Sequence, residues 1–178
     1  MDAMKVLTAV PPGLEEAEPL SGELDGMDDP IRVLVTDDEA LNRRLLRRYL
    51  ERAGMEVIEA VDGVDALQVM QAADSNLDVV ILDLLMPGLR GEEVLERMRA
   101  DSRFRRLPVL VASNLSSMSA QEDLLARGAS DYLHKPVRSR ELVARVRSLA
   151  RLKRGMDELD DAGDVLMTLA RSVEAKDE

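Results

Sequence analysis

The sequence predicts an α/β domain in which a parallel β-sheet is covered by helices on both faces. Three observations carry that prediction. Short apolar runs alternate with longer amphipathic stretches from Ile31 onward. The central run, Val79–Leu82, is apolar throughout and rich in β-branched residues, as in a strand buried on both faces. Turn and helix-opening signals such as Asp62-Gly63 and Met86-Pro87-Gly88 separate the runs from the stretches.

The elements follow in order. Ile31–Thr36 reads as the first strand. Ala40–Ala53 is a helix with Leu41, Leu45, Leu46, Tyr49 and Leu50 on one face, and Gly54 closes it. Met55–Ala60 is the second strand and Val64–Ala73 the second helix. Leu77–Leu82 is the third strand, ending at Asp83, and Glu92–Ala100 is the helix after it. Pro108–Ala112 is the fourth strand. Gln121–Arg127 lies in a helix ended by Gly128, Ser130–Leu133 is a short fifth strand, and a last helix starts at Arg138. This alternation implies a doubly wound parallel sheet. Right-handed crossovers then bring the carboxyl ends of strands one, three and four to one edge, where open α/β sheets bind ligands.

Composition narrows the function classes. A chain of 178 residues, 46% hydrophobic, holds one domain of ordinary size plus extensions. The net charge of −11 argues against nucleic acid and anionic membranes as partners. The absence of cysteine removes disulfide and thiol chemistry and fits a reducing cytoplasm. No apolar run is long enough to span a bilayer, and Val6–Val10 is too short for a signal-peptide core. The single histidine, His134, cannot supply a zinc hydrolase or a histidine-based triad, and it reads as a surface strand residue. Neither a phosphate-binding GxxxxGK[ST] loop nor a GxSxG elbow is present. Residues 1–30 hold eight acidic residues against Lys5 and four prolines, so they read as a disordered leader, with a partner-docking tail as the alternative.

The chemistry collects at the strand ends. Asp37 and Asp38 end strand one, Asp83 ends strand three, Ser113 ends strand four, and Lys135 ends strand five before Pro136. Singly, each has a plain structural reading: a helix cap for one of the first two, loop amides for Asp83, a turn for Ser113, solvent for Lys135. Jointly they define a site. Clustered carboxylates repel unless a cation or protons neutralise them. An all-oxygen set suits a hard ion such as Mg²⁺ or Mn²⁺. A carboxylate beside such an ion can attack phosphorus. Phosphoryl transfer asks mainly for positioning and charge neutralisation, which Lys135 and Ser113 can provide. The product is an aspartyl phosphate.

DDE at 37–39, DLLMPGLRG at 83–91, PVLVAS at 108–113 and DYLHKP at 131–136 resemble the receiver domain of two-component response regulators over residues 31–150. The resemblance implies a flavodoxin-like (βα)5 fold with strand order 2-1-3-4-5. It implies Asp83 as phospho-acceptor, with Asp37, Asp38, Asp83 and the backbone carbonyl of Leu85 as ligands of Mg²⁺ or Mn²⁺. Ser113 becomes the switch hydroxyl, Lys135 the phosphate-binding lysine before a cis Pro136, and Tyr132 the aromatic switch residue. The implied partner is a histidine kinase or phosphotransfer protein. The implied mechanism is a population shift of the face made by helix four, strand five and helix five. The chain then accepts a phosphoryl group on itself and is not an enzyme in the turnover sense. Departures are Ser113 in place of threonine, Asn114 in place of a small residue, and Val137 in place of an aromatic. Leu85 and Leu115 flank the acceptor, and neither can orient an attacking water, so slow self-dephosphorylation is expected.

Leu142, Leu149, Leu152, Met156, Leu159, Gly163, Leu166, Ala170 and Val173 recur at three- and four-residue steps, the spacing of a heptad seam. Residues 151–178 therefore read as a helical linker that dimerises, with a helix folded back on its own domain as the alternative. Gly155 and Gly163 admit a bend or a break. The segment DELDDAGDVLMTLARSVEAKD, 157–177, is similar to the helix that precedes HD-GYP phosphodiesterase domains, which hydrolyse cyclic di-GMP. That similarity implies an output domain beyond this chain. Two other functions compete. In one, the domain is a phosphorylation-independent scaffold with vestigial acids. In the other, it is a phosphatase of the haloacid dehalogenase type, which wants a DxD motif that Asp83-Leu84-Leu85 does not supply.

Overall fold

The computed structural model describes residues 29–72, 76–114 and 117–174. The leader up to residue 28, together with Leu115 and residues 175–178, lies outside the described residues. The elements alternate as β1 (Arg32–Thr36), α1 (Ala40–Glu51), β2 (Glu56–Ala60), α2 (Gly63–Gln71), β3 (Val79–Asp83), α3 (Gly91–Ala100), β4 (Val109–Ser113), α4 (Met118–Ala126), β5 (Asp131–His134) and α5 (Ser139–Glu174). The five strands form one parallel sheet in the order β2-β1-β3-β4-β5. This is the expected flavodoxin-like arrangement.

Burial follows position in the sheet. Every residue of β3 and β4 is buried, whereas the edge strands β2 and β5 are only partly covered. Two apolar layers result. One face of the sheet packs Leu34, Val80, Leu82, Val109 and Val111 against α2, α3 and α4 through Met70, Val94, Leu95, Met98 and Leu124. The other packs Val33, Val35, Val79, Ile81 and Leu110 against α1 and α5 through Leu46, Leu50, Leu142, Val143 and Val146. Burying such side chains contributes roughly 1.5–3 kcal/mol each before conformational entropy is counted.

Three expectations are corrected. The buried face of α1 is Leu46 and Leu50, with Tyr49 and Ala53 at its margin. Leu41 and Leu45 are exposed, at 76% and 37%. They belong to a row one residue, or about 100°, away from the row that meets the sheet. Helix α4 starts at Met118 rather than Gln121, because the Ser117 hydroxyl accepts from the Ala120 amide and caps it. Strand β3 starts at Val79 rather than Leu77, since the Asp78 carboxylate accepts from the Arg32 amide at 2.8 Å and from Arg154. At their other ends β3 and β4 run one residue further than expected, to Asp83 and Ser113. Gly54 does end α1, with φ of 80°, a left-handed conformation that a side chain would strain.

Helix α5 is continuous over 36 residues, about 54 Å at 1.5 Å per residue, without a break at Gly155 or Gly163. Its first part, through Ala150, belongs to the core. Beyond that, Leu152, Met156, Leu159 and Leu166 are exposed at 53–74%. The seam therefore divides: Leu142 and Leu149 are spent on the domain, and the rest faces solvent. Arg154 ties the helix down at the transition. Its guanidinium grips the Asp78 carboxylate at 2.7 and 2.8 Å and donates to the carbonyls of Asp29 and Pro30 at 2.9 Å. Arg106, before β4, pairs with Asp160 one turn and a half further along.

Candidate functional site

The carboxyl edge of the sheet carries the site. Asp37 follows β1 directly and is almost wholly buried, at 1% exposure. Its carboxylate accepts from the Glu39 amide at 2.9 Å, which fixes the turn into α1. Asp38 is exposed beside it. Asp83 is the last residue of β3 and is 7% exposed. Asp37, Asp38 and Asp83 each offer an oxygen within 4.8 Å of the others. Lys135, just past β5, bridges two of them: its ammonium donates to Asp37 Oδ2 at 2.8 Å and to Asp83 Oδ2 at 2.9 Å. Burial alone would depress the Lys135 pKa. The hydrogen bonds and charges of Asp37 and Asp83 outweigh that penalty and hold it above the ordinary lysine value.

Local structure explains the placement. Gly91 opens α3 directly beneath β3, where a Cβ would run into the carbonyl of Asp83 and lie 2.8 Å from the Leu84 Cα. The turn from Asp83 to α3 is therefore tight only because residue 91 has no side chain. The Lys135–Pro136 peptide is cis, as the resemblance implies. The Lys135 amide donates to the Ser113 carbonyl at 3.0 Å, which joins the ends of β4 and β5.

Asp37, Asp38, Asp83 and Lys135 are thus brought into one constellation. Ser113 is buried at the end of β4, the strand beside β3. Tyr132 is half-buried on β5 and packs against the core layer that includes Leu124 of α4. The Leu85 amide lies 3.4 Å from Asp83 Oδ1, and the Leu85 side chain is 60% exposed at the rim. His134 is exposed, as its reading as a surface strand residue expects.

Sequence reasoning missed two side chains on α1. The Asn42 amide donates to both Asp37 carboxylate oxygens, at 3.3 and 3.2 Å. Arg43 reaches the backbone of the acid pair and Glu59 of β2. The available signal was their spacing, five and six residues after Asp37, which places them within the first turn of a helix that starts at the site. Oxygen-only donors at this separation are the set that a small hard cation such as Mg²⁺ takes, so the residues present fit the expected ion.

The family model of the response regulator receiver domain matches residues 33–147, well over half of the chain. Response regulator PleD of Caulobacter vibrioides is 41% identical over 128 residues, covering 72% of this chain and 28% of PleD. Response regulator MprA of Mycobacterium sp. strain KMS is 43% identical over 122 residues, 68% of this chain and 51% of MprA. The chain therefore spans between about a quarter and a half of the length of these curated relatives. Among solved structures, a Francisella response regulator receiver domain superposes with a TM-score of 0.64 at 32% identity, over 69% of this chain and 98% of that one. Chemotaxis protein CheY4 of Vibrio cholerae superposes with a TM-score of 0.62 at 29% identity, over 68% and 99%. With the fold, the match over 33–147 and relatives above 40% identity in agreement, the chain belongs to the receiver domain family of two-component response regulators.

Proposed function

We propose that this chain is a phospho-accepting switch whose acceptor is Asp83. The observation that carries the reading is the Lys135 ammonium bridging Asp37 and Asp83 with Asp38 alongside. When bound, Mg²⁺ or Mn²⁺ would neutralise charge on the transferred group; Asp37, Asp38, Asp83 and the Leu85 carbonyl would hold it. A carboxylate oxygen of Asp83 forms the new O–P bond as the P–N bond of a phosphohistidine on the partner breaks. The imidazole leaves with its electron pair. Lys135 gives up one of its carboxylate contacts and takes a phosphoryl oxygen. Ser113 donates to another oxygen, and Tyr132 follows it inward, which changes the face of α4, β5 and α5.

The donor is a histidine kinase or a phosphotransfer protein, as membership of the family implies. Two features support an output through α5. Leu152, Met156, Leu159 and Leu166 form an exposed seam. Arg154, which anchors the helix, projects from nearly the opposite side of it, so the seam turns away from the domain. The occupant of the seam is a second copy of the chain in a parallel dimer. The similarity of 157–177 to the helix before HD-GYP domains supports a cyclic di-GMP phosphodiesterase as the output, in a cytoplasmic protein. No described helix is long and apolar enough to cross a membrane.

The test is the intact mass and oligomeric state of the chain with Mg²⁺, before and after acetyl phosphate or beryllofluoride. One phosphoryl group on wild type and none on Asp83→Asn supports the switch. An unmodified wild-type chain favours a phosphorylation-independent scaffold. Steady turnover of a phosphate ester favours a phosphatase. Leu159→Asp placed on the seam dissociates the dimer; a dimer that survives it sets the seam aside.

A further inference from the structure

We propose that Arg43 is a positioning residue of the metal-binding loop, a role that rests on the metal reading above. The loop Asp37-Asp38-Glu39 must hold two carboxylates toward Asp83 although its backbone has left the sheet. One guanidinium nitrogen of Arg43 donates to the carbonyls of both acids, 2.7 Å to Asp37 and 3.1 Å to Asp38. Its Nε faces the Glu59 carboxylate on β2 at 3.3 Å. The side chain of Arg43 is only 12% exposed and that of Glu59 26%, so the fork is held from both ends. The loop is thereby pinned between its own helix and the neighbouring strand.

The geometry separates this role from simple charge. A cation near a cation site opposes metal binding by repulsion, but Glu59 offsets that charge where it stands. What remains is directional: a planar fork that bonds two carbonyls and one carboxylate at once. A lysine keeps the charge and cannot reproduce the fork. Arg47 is the natural comparison, because it pairs with the same Glu59 at 3.2 Å and with Glu51, and has no hydrogen bond to the acid loop.

The experiment is a Mn²⁺ titration of the full chain with no phosphodonor, following the electron paramagnetic resonance signal of free Mn²⁺, with thermal melting in parallel. Arg43→Lys and Arg43→Gln both raise the metal Kd about tenfold, the low end of what losing an outer-shell partner costs. Arg47→Lys stays at the wild-type Kd. Wild-type affinity in Arg43→Lys overturns the proposal, with or without a lowered melting temperature, since the fork then serves stability alone. Tighter binding by Arg43→Gln also overturns it, because charge would then be the dominant effect. A wild-type chain that takes up no Mn²⁺ removes the metal reading itself, an outcome distinct from either.

Discussion

Neutralising Asp38 should change sign with the metal. In the absence of a cation, Asp37, Asp38 and Asp83 crowd within 4.8 Å, and Lys135 hydrogen-bonds only Asp37 and Asp83. Two carboxylates at that distance repel by about 1 kcal/mol at a water-like dielectric constant, and by up to about 4 kcal/mol at an effective value of 20. Because Asp38 is exposed, the lower figure applies to each of its two pairs. Asp38→Asn therefore stabilises the metal-free protein by about 1–2 kcal/mol, a rise of about 4 °C in Tm per kcal/mol for a domain of this size. With Mg²⁺ at a hundredfold excess over Kd, wild type gains about 2.7 kcal/mol, while a variant binding a hundredfold more weakly gains about 0.4 kcal/mol. The order of the two melting curves then inverts. The assay is differential scanning calorimetry of both proteins in chelator and in Mg²⁺. A variant less stable than wild type in chelator would refute the repulsion argument. Equal gains from Mg²⁺ would show that Asp38 holds no metal.

Other consequences are directly measurable. The Thr36 hydroxyl is buried without a hydrogen-bond partner, so Thr36→Val should stabilise by about 1 kcal/mol, read from the urea midpoint at constant slope. Gly91→Ala should cost about 1–3 kcal/mol or more, because the new methyl group meets the Asp83 backbone; its phosphorylation rate at saturating Mg²⁺ should fall with its Tm. Nothing lies within 4 Å of a Cβ at Gly163, so Gly163→Ala should add about 1 kcal/mol to the local stability of α5, seen as slower amide exchange there. The raised pKa of Lys135 sets a pH window. Its contribution is complete below the ordinary lysine value of 10.5 and is lost as pH rises through the higher folded value. Wild type should therefore lose stability above pH 10.5 by a step that Lys135→Met lacks, in denaturation curves taken across that range.

Much of this was legible in the sequence, for identifiable reasons. β3 and β4 are buried on both faces, so each reads as an unbroken apolar run with no competing periodicity. Asp37, Asp83 and Lys135 stand out because a charged residue ends a strand that is otherwise apolar. The face of α1 was less legible, because Leu41 and Leu45 belong to an apolar row that the sheet does not reach. The start of α4 was hidden by Ser116-Ser117-Met118-Ser119, where one serine among three is the cap. Arg43 and Arg154 were invisible for a different reason. On a helix they look like solvated charges, and their partners Glu59 and Asp78 lie 16 and 76 residues away in sequence.

The anchorage of α5 gives the molecule a mechanical asymmetry. The acid cluster sits at one edge of the sheet, and Arg154 grips the helix at the other, against the residues that precede β1 and β3. From that fulcrum to Glu174 the helix runs on for 20 residues, a lever arm of about 30 Å. A tilt of about 5° at the grip displaces its tip by about 2.6 Å, roughly half a helical turn. A rearrangement too small to disturb packing inside the domain is magnified into a shift that can take one helix out of register with its neighbour.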